Sequence, residues 1–444
     1  MEKKVYMDYA ATTPLDEKVF ADMMPYFSEK YGNPSSIHSF GEDAQEGIIK
    51  ARKIVADFFG AKDSEIIFTS GATEGNNAVI KGIVMSRKIW EACGGKPHIV
   101  VSDVEHDCVL ESAKRVMKDG LAEVSFAPVG SDGRVSADDV QKLIQPNTVL
   151  VSVMYANNET GAIQPVQEIG RMITRENEAG NKKIYFHIDA AQAVNYLDCN
   201  ADALGADLIT ISAHKIYGPK GVGALYARTG TPLAKFMDGG EQEFGLRAGT
   251  HNVPGIVGLG SAIAQLENYK EKNKEIGRLR DRLIDGILAS VSRSALNGSR
   301  ENRLPNNVNM RFEGAEGEAI LIMLKDKGVA VSTGSACAAK SLSSSHVLKS
   351  MGLTDLDAHS SIRFSLGRQT AQEDIDYVIS AVPGIIEKLR GVSGSFDHST
   401  NLSQADEKGS KGEGSVFLDD DVIDRGGLPA DLGCEKGRQV DESL

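Results

Sequence analysis

The sequence predicts an α/β fold: a mainly parallel sheet covered by helices on both faces, with a second, smaller α+β domain. Two observations carry this expectation. From about residue 64 to 227, short β-rich runs alternate with segments of helical pattern. The β-rich runs are also almost continuously apolar, as strands buried on both faces are. At 444 residues, with 41% hydrophobic and 25% charged side chains, the chain can bury a large core and build two or three domains.

Taken in order, "EIIFTS", "HIVVS", "TVLVSVMYA", "KIYFHID", "DLITIS" and "VGALYA" read as strands. Between them lie helical segments such as "EGNNAVIKGIVMSRKIW" and "VQEIGRMITRENEAG". "SRKIWEACGGK", residues 86–96, reads as a surface loop between helix and strand. Residues from about 255 to 294 read as one long helix, followed by the shorter runs "NNVNMRF", "EAILIMLKDKG", "VAVST", "SIRFSLG" and "AQEDIDYVISAVPGIIEKLR". The expected division is a large domain over residues 16–255 and a small one over 1–15 and 256–394. Residues 395–444 carry twelve Asp/Glu against five Lys/Arg and few aromatics. An acidic segment of that kind cannot bury enough apolar surface to offset its ordering entropy, and it is expected to be a disordered tail.

Charge and cysteine usage exclude several function classes. A net charge of −13 with no basic stripe argues against binding DNA or an anionic membrane, whose affinity comes from clustered Lys and Arg. "MEKKVYMDYA" has no apolar run behind its lysines, and no stretch of about 18 apolar residues follows, so no membrane partner and a cytoplasmic location are expected. Cys93, Cys108, Cys199, Cys337 and Cys434 are odd in number and lack CxxC or Cys/His spacing. That pattern suits neither a disulfide framework nor a metal site.

The chemistry-bearing residues gather at strand ends. "FHIDAAQ" ends a strand with Asp189, and Lys215 of "SAHKIYGPKG" ends the next β-rich run 26 positions later. That interval suits a right-handed crossover to a parallel neighbour, which would bring both side chains to one edge of the sheet. The pair has two readings: a salt bridge, or the carboxylate and Schiff-base lysine that pyridoxal 5'-phosphate requires. "FTSGATEGNN" puts Ser-Gly-Ala-Thr between a strand and a helix, which suits either a phosphate at Ala72 and Thr73 or ordinary N-capping by Ser70 or Thr73. Ser212 and His214 flank the lysine as further phosphate donors, and His106 of "VEHDCV" follows another strand, suited to stacking on a flat ring or to a structural role. Asn158 and Gln192 offer amides to a ring hydroxyl or a carboxylate, or cap their own loops.

"MDYAATTP", "YGNPSSIHSFG", "TSGATEGNN", "NNETG", "HIDAAQ", "SAHKIYGPKGVGALY", "RAGTHN", "STGSACAA" and "SSIRFSLGR" stand in the order and at the approximate spacing of the cysteine desulfurases of the NifS/IscS type. The chain resembles that family over about residues 3–392. The resemblance implies fold type I of the pyridoxal-phosphate enzymes, a homodimer, and conversion of L-cysteine to L-alanine through a ketimine of the cofactor. By the same resemblance Lys215 holds the cofactor, Asp189 pairs with its ring nitrogen, and Gln192 bonds its phenolic oxygen. His106 stacks on the ring and moves protons. Ala72, Thr73, Ser212 and His214 bind the phosphate, with Thr250 reaching it from the neighbouring subunit. Arg363 grips the substrate carboxylate, assisted by Asn158 and Asn33.

The resemblance further implies that sulfur is left on Cys337 as a persulfide. The small residues of "VSTGSACAAKSLSSS" suit a mobile loop, and its length matches the long-loop division, whose members hand sulfur to protein acceptors such as iron-sulfur scaffolds. Rival readings on the same fold are a selenocysteine lyase and a class V aminotransferase, although transamination needs no thiol in a Ser/Gly loop. An inactive homologue acting as an assembly partner is opposed by the presence of Asp189, Lys215, Cys337 and Arg363. Residues after about 394 show no resemblance, and Cys434 among them reads as incidental to a solubilising tail.

Overall fold

The computed structural model describes residues 3–180, 182–333 and 344–396; Cys337, Cys434 and the acidic tail beyond Phe396 lie outside the described residues. Twelve strands follow one another along the chain: β1 (Val5–Tyr6), β2 (Ile66–Thr69), β3 (His98–Ser102), β4 (Glu123–Ala127), β5 (Thr148–Met154), β6 (Tyr185–Asp189), β7 (Leu208–Ser212), β8 (Gly223–Ala227), β9 (Ser294–Leu296), β10 (Asn307–Phe312), β11 (Val329–Ala330) and β12 (Ser361–Ser365). Seven of them form one sheet in the order β2-β8-β7-β6-β5-β3-β4. The pairs among β3, β4, β5, β6 and β7 are parallel, whereas β8 runs antiparallel to both β7 and β2. With β8 reversed between them, β2 and β7 point the same way, so the carboxyl end of β2 reaches the same edge as those of its parallel neighbours.

The period of two along each strand divides the sheet between two apolar layers. Phe68, Val100, Val151, Phe186, Ile188, Ile209 and Tyr226 face helices Ser39–Phe59, Val166–Ala179 and Val253–Ala264. Ile67, Ile99, Val101, Leu150, Leu208 and Leu225 face helices Ala72–Val84 and Asp107–Lys118. Burial on both sides is why these strands read as unbroken apolar runs. Strand β4 escaped the pattern because it lies at the edge: "EVSFA" is half-exposed and carries Glu and Ser among its five residues.

A separate core gathers Val5, Met7, Ile276, Leu283, Val308, Met310, Phe312, Ile362, Phe364 and Val382 around a three-stranded sheet ordered β12-β10-β9. Strand β1 pairs in parallel with β11, Val5 opposite Val329, and so the N-terminal residues pack with this core. The single helix expected over residues 255–294 is two. Val253–Ala264 is apolar around most of its surface and lies in the larger core, whereas Lys270–Ser290 is amphipathic and lies in the second. A 3₁₀ turn, Leu266–Tyr269, joins them, because one straight rod could not serve both layers. The expected loop at 86–96 contains a short helix, Arg87–Cys93, closed by Gly94 in the left-handed region at φ 65°. Its Ile89 packs into the core beneath, the apolar contact that turns the segment helical. Among the described residues, no helix is long and apolar enough to cross a membrane.

One close approach shapes the sheet edge. A Cβ on Gly223 of β8 would fall 2.5 Å from the carbonyl oxygen of Ile211 and 2.8 Å from the Cα of Gly71. The missing side chain lets the turn after β2 lie flat against the sheet. Gly223→Ala should therefore destabilise the protein by about 1–3 kcal/mol, the usual cost of overpacking, read as a lowered urea midpoint at unchanged slope.

Candidate active site

Five strands end around one cavity of about 510 Å³. Asp189 is the last residue of β6 and pairs in register with Thr210 of β7. Strand β7 stops at Ser212, three residues short of the expected end, and Lys215 follows in a 3₁₀ turn, Ala213–Lys215. That extra turn brings the lysine around the rim into the cavity wall. Ala72 and Thr73 begin the helix after β2, His106 caps the helix after β3, and Asn158 lies in the turn after β5. Arg363 enters from β12 of the second sheet. Residues Ala72, Thr73, His106, Asn158, Asp189, Gln192, Ser212, His214, Lys215 and Arg363 all line this cavity. Asn33 and Thr250 do not: both are exposed, and the Oδ1 of Asn33 accepts from the N–H of Ser35 within its own turn at 3.0 Å.

The polar groups have defined partners. Lys215 Nζ donates to the carbonyl oxygens of Ala10 at 2.6 Å and Ala11 at 2.8 Å. Asp189 is only 5% exposed, and its carboxylate accepts from Asn76 Nδ2 at 2.6 Å and from the N–H of Ala191 at 2.9 Å. Asp189 and Lys215 face one cavity, each with the hydrogen-bond partners just given. Gln192 Nε2 donates to Ala10 O at 3.0 Å. His214 Nδ1 lies 3.1 Å from Thr12 Oγ1. Burial, with the positive charges of Lys215 and Lys220, pushes the His214 imidazole down to about 4, so it is neutral at physiological pH.

The helix Ala72–Val84 starts at Gly71, which makes no side-chain capping bond. Neither Ser70 nor Thr73 caps it, so its first N–H groups are left to face an anion at the cavity edge. Donors for a phosphate, a carboxylate in reach of a ring nitrogen and a lysine amine thus surround one hollow large enough for a pyridoxal ring, and the residues fit that cofactor.

Arg363 is 1% exposed, with NH1 donating to Asn158 O at 3.1 Å and NH2 to Asp8 Oδ1 at 2.8 Å. Its Nε is buried and has no partner among the described residues. Asp8, Ala10, Ala11 and Thr12 were not identified from sequence, because short side chains and backbone carbonyls near a chain terminus carry no signature until the fold brings them to the cavity. Glu105 was missed too. It is fully buried, with Oε1 accepting from the N–H of Met154 at 2.6 Å and from Ser102 Oγ at 2.5 Å, and burial pushes its carboxyl up to about 8.

The aminotransferase class-V family model matches residues 5–378 of this chain. The chain is 49% identical over 395 residues to cysteine desulfurase IscS of Dictyoglomus turgidum, covering 88% of this chain and 97% of that protein. It is 46% identical over 393 residues to cysteine desulfurase IscS of Methanosarcina thermophila, covering 88% and 94%. Among solved structures it resembles a NifS-like protein at 35% identity and TM-score 0.77, covering 89% of this chain and all of the other. It also resembles SspA in complex with cysteine at 36% identity and TM-score 0.71, covering 83% of this chain.

Two substitutions probe the groups that the sequence did not reveal. Asp8→Ala removes the carboxylate from a buried guanidinium and should cost about 3 kcal/mol in urea unfolding, with Asp8→Asn costing less because its amide oxygen still accepts. Glu105 binds its proton more tightly when folded, its pKa rising from 4.5 to about 8, so the stability it contributes is full below about pH 4.5 and is lost as pH rises toward 8. Glu105→Gln should abolish that decline, visible as a wild-type urea midpoint that falls relative to the variant's across this window.

Proposed function

The chain belongs to the aminotransferase class-V family and, within it, to the cysteine desulfurases of the IscS/NifS type, and from that membership we propose how its own residues carry the conversion of L-cysteine to L-alanine. The enzyme depends on pyridoxal 5'-phosphate. The observation that carries the assignment of roles is the meeting of Asp189, Lys215 and Arg363 in one cavity, from neighbouring strand ends and a second sheet.

When bound, the cofactor supplies an electron sink for the pair released at the substrate carbon. Lys215 would anchor it covalently, and its amine would be placed to move a proton. Asp189 would keep a positive charge on the ring nitrogen, and Gln192 would donate to the phenolic oxygen. Ala72, Thr73, Ser212 and neutral His214 hold the phosphate. His106 would serve the ring and exchange protons, while Arg363 and Asn158 would bind the substrate carboxylate. Cys337 takes that sulfur as a persulfide and passes it to a protein acceptor such as an iron-sulfur scaffold.

A homodimer is supported by the exposed apolar side chains Phe20, Met24, Phe27, Tyr31, Phe40 and Ile37, the last 96% exposed. Thr250, exposed and away from its own cavity, then serves the partner subunit's phosphate site, and Asn33 assists at the substrate end. The cytoplasm is the proposed location.

The purified protein should be yellow and convert L-cysteine to alanine with sulfide released by a reductant. Lys215→Ala should lose the visible band and the activity. Arg363→Ala should raise KM roughly 10- to 150-fold, matching about 1.5–3 kcal/mol for a charge-assisted bond. Cys337→Ser should keep the cofactor and its spectral response to cysteine yet release no sulfur. A colourless protein that fails to take up added pyridoxal phosphate would overturn the assignment, and alanine formed only from selenocysteine, or only with a keto-acid acceptor, would favour the lyase or the aminotransferase.

A further inference from the structure

The wall behind Asp189 holds two residues to which no role has been given, Asn76 and Cys108. Asn76 is fully buried on the helix Ala72–Val84. Its Nδ2 donates to Asp189 Oδ2 at 2.6 Å and to Cys108 Sγ at 3.1 Å. Cys108 in turn reaches His106 twice: its backbone N–H donates to His106 Nδ1 at 3.2 Å, and its Sγ lies 3.1 Å from the same nitrogen.

Chemistry settles the direction of both Asn76 bonds and of the Cys108 backbone bond in this chain. A carboxylate at 2.6 Å can only accept, so the Asn76 amide must present its nitrogen there, and the same NH₂ group then supplies the second proton to sulfur. The amide oxygen is left buried with no partner among the described residues, an orientation that packing alone would not select. At the other end, a first-turn helix N–H can only donate, so His106 Nδ1 must carry a lone pair. A neutral imidazole has one N–H, which is then on Nε2. Burial, reinforced by the charge of Asp189, pushes the Cys108 thiol up to about 12. It keeps its proton, which Nδ1 or the Thr73 hydroxyl can accept, while the sulfur accepts from Asn76.

We propose that Asn76 and Cys108 are positioning residues that join Asp189 and His106 in one hydrogen-bonded chain and hold His106 in the tautomer protonated at Nε2. In the resting enzyme the imidazole is then a proton donor at Nε2, and it gains basicity there only if the contact at Nδ1 is rearranged. The meaning of this for catalysis rests on the roles proposed above for His106 and Asp189; the geometry does not.

The test is nitrogen NMR of the holoenzyme labelled with ¹⁵N in histidine, with His106→Gln identifying the signal. Wild type should show a pyridine-like Nδ1 and a pyrrole-like Nε2. Cys108→Ser, whose hydroxyl can accept from Asn76 and donate to Nδ1, should preserve this. Cys108→Ala should lower the ratio of the two tautomers about fivefold, the worth of one neutral hydrogen bond. Asn76→Ala should lower it as well and also shift the visible band of the bound cofactor, which Cys108→Ala should not. A proton found on Nδ1 in wild type, or equal ratios in Cys108→Ala and Cys108→Ser, overturns the proposal. The tautomer is read directly, so a failure here is distinct from failure of the site assignment, which would appear as an unchanged visible band in Lys215→Ala.

Discussion

The parallel pairing of β6 with β7 is the constraint from which the site follows. It sets Ile188 beside Ile209 and Asp189 beside Thr210, so the two chains leave the sheet together at one edge. Everything chemical is then a short extension of a strand that is apolar until it ends. Asp189 closes β6, a single turn carries Lys215 inward, and the reversed strand β8 returns β2 to the same edge with its uncapped helix. Shifting the register by one residue would send each side chain of the slipped strand into the opposite apolar layer and take Asp189 out of line with Thr210.

The charges gathered there are tolerable because each has oxygen or nitrogen partners supplied by distant parts of the chain. The N-terminal stretch passes from the second core, where Val5 pairs with Val329, across the cavity wall. On the way it offers Asp8 to Arg363, two carbonyls to Lys215 and one of these also to Gln192. One segment of about five residues thereby links the two cores and furnishes the polar lining between them.

A similar economy operates on the other side. Glu105 precedes His106, and its carbonyl oxygen accepts from His346 Nε2 at 3.0 Å, while buried Glu159 accepts from Ser345 Oγ at 2.5 Å. Ser350 Oγ donates to Asp103 Oδ2 at 2.6 Å. The short helix His346–Ser350 is thus fastened to the same loop that presents His106. Burial raises the pKa of both carboxyls, which favours their neutral forms in a site already rich in charge.

What the sequence by itself determined was local and periodic. Apolar runs marked six of the seven central strands, and residue types at or just past their ends pointed to Asp189, Lys215 and His106, whereas Arg363, in the middle of β12, was reached only through the family resemblance. The edge strand β4 and the break at Leu266–Tyr269 were hidden, since half-exposed strands and paired helices do not differ in pattern from loops and one long helix. Only the tertiary structure decided which backbone carbonyls face Lys215, that Asp8 neutralises Arg363, and that Asn76 and Cys108 stand between Asp189 and His106. Those contacts join residues as far apart as 355 positions, and hydrogen bonds at such separations depend on how whole layers pack, about which neighbouring residues in the chain carry no information.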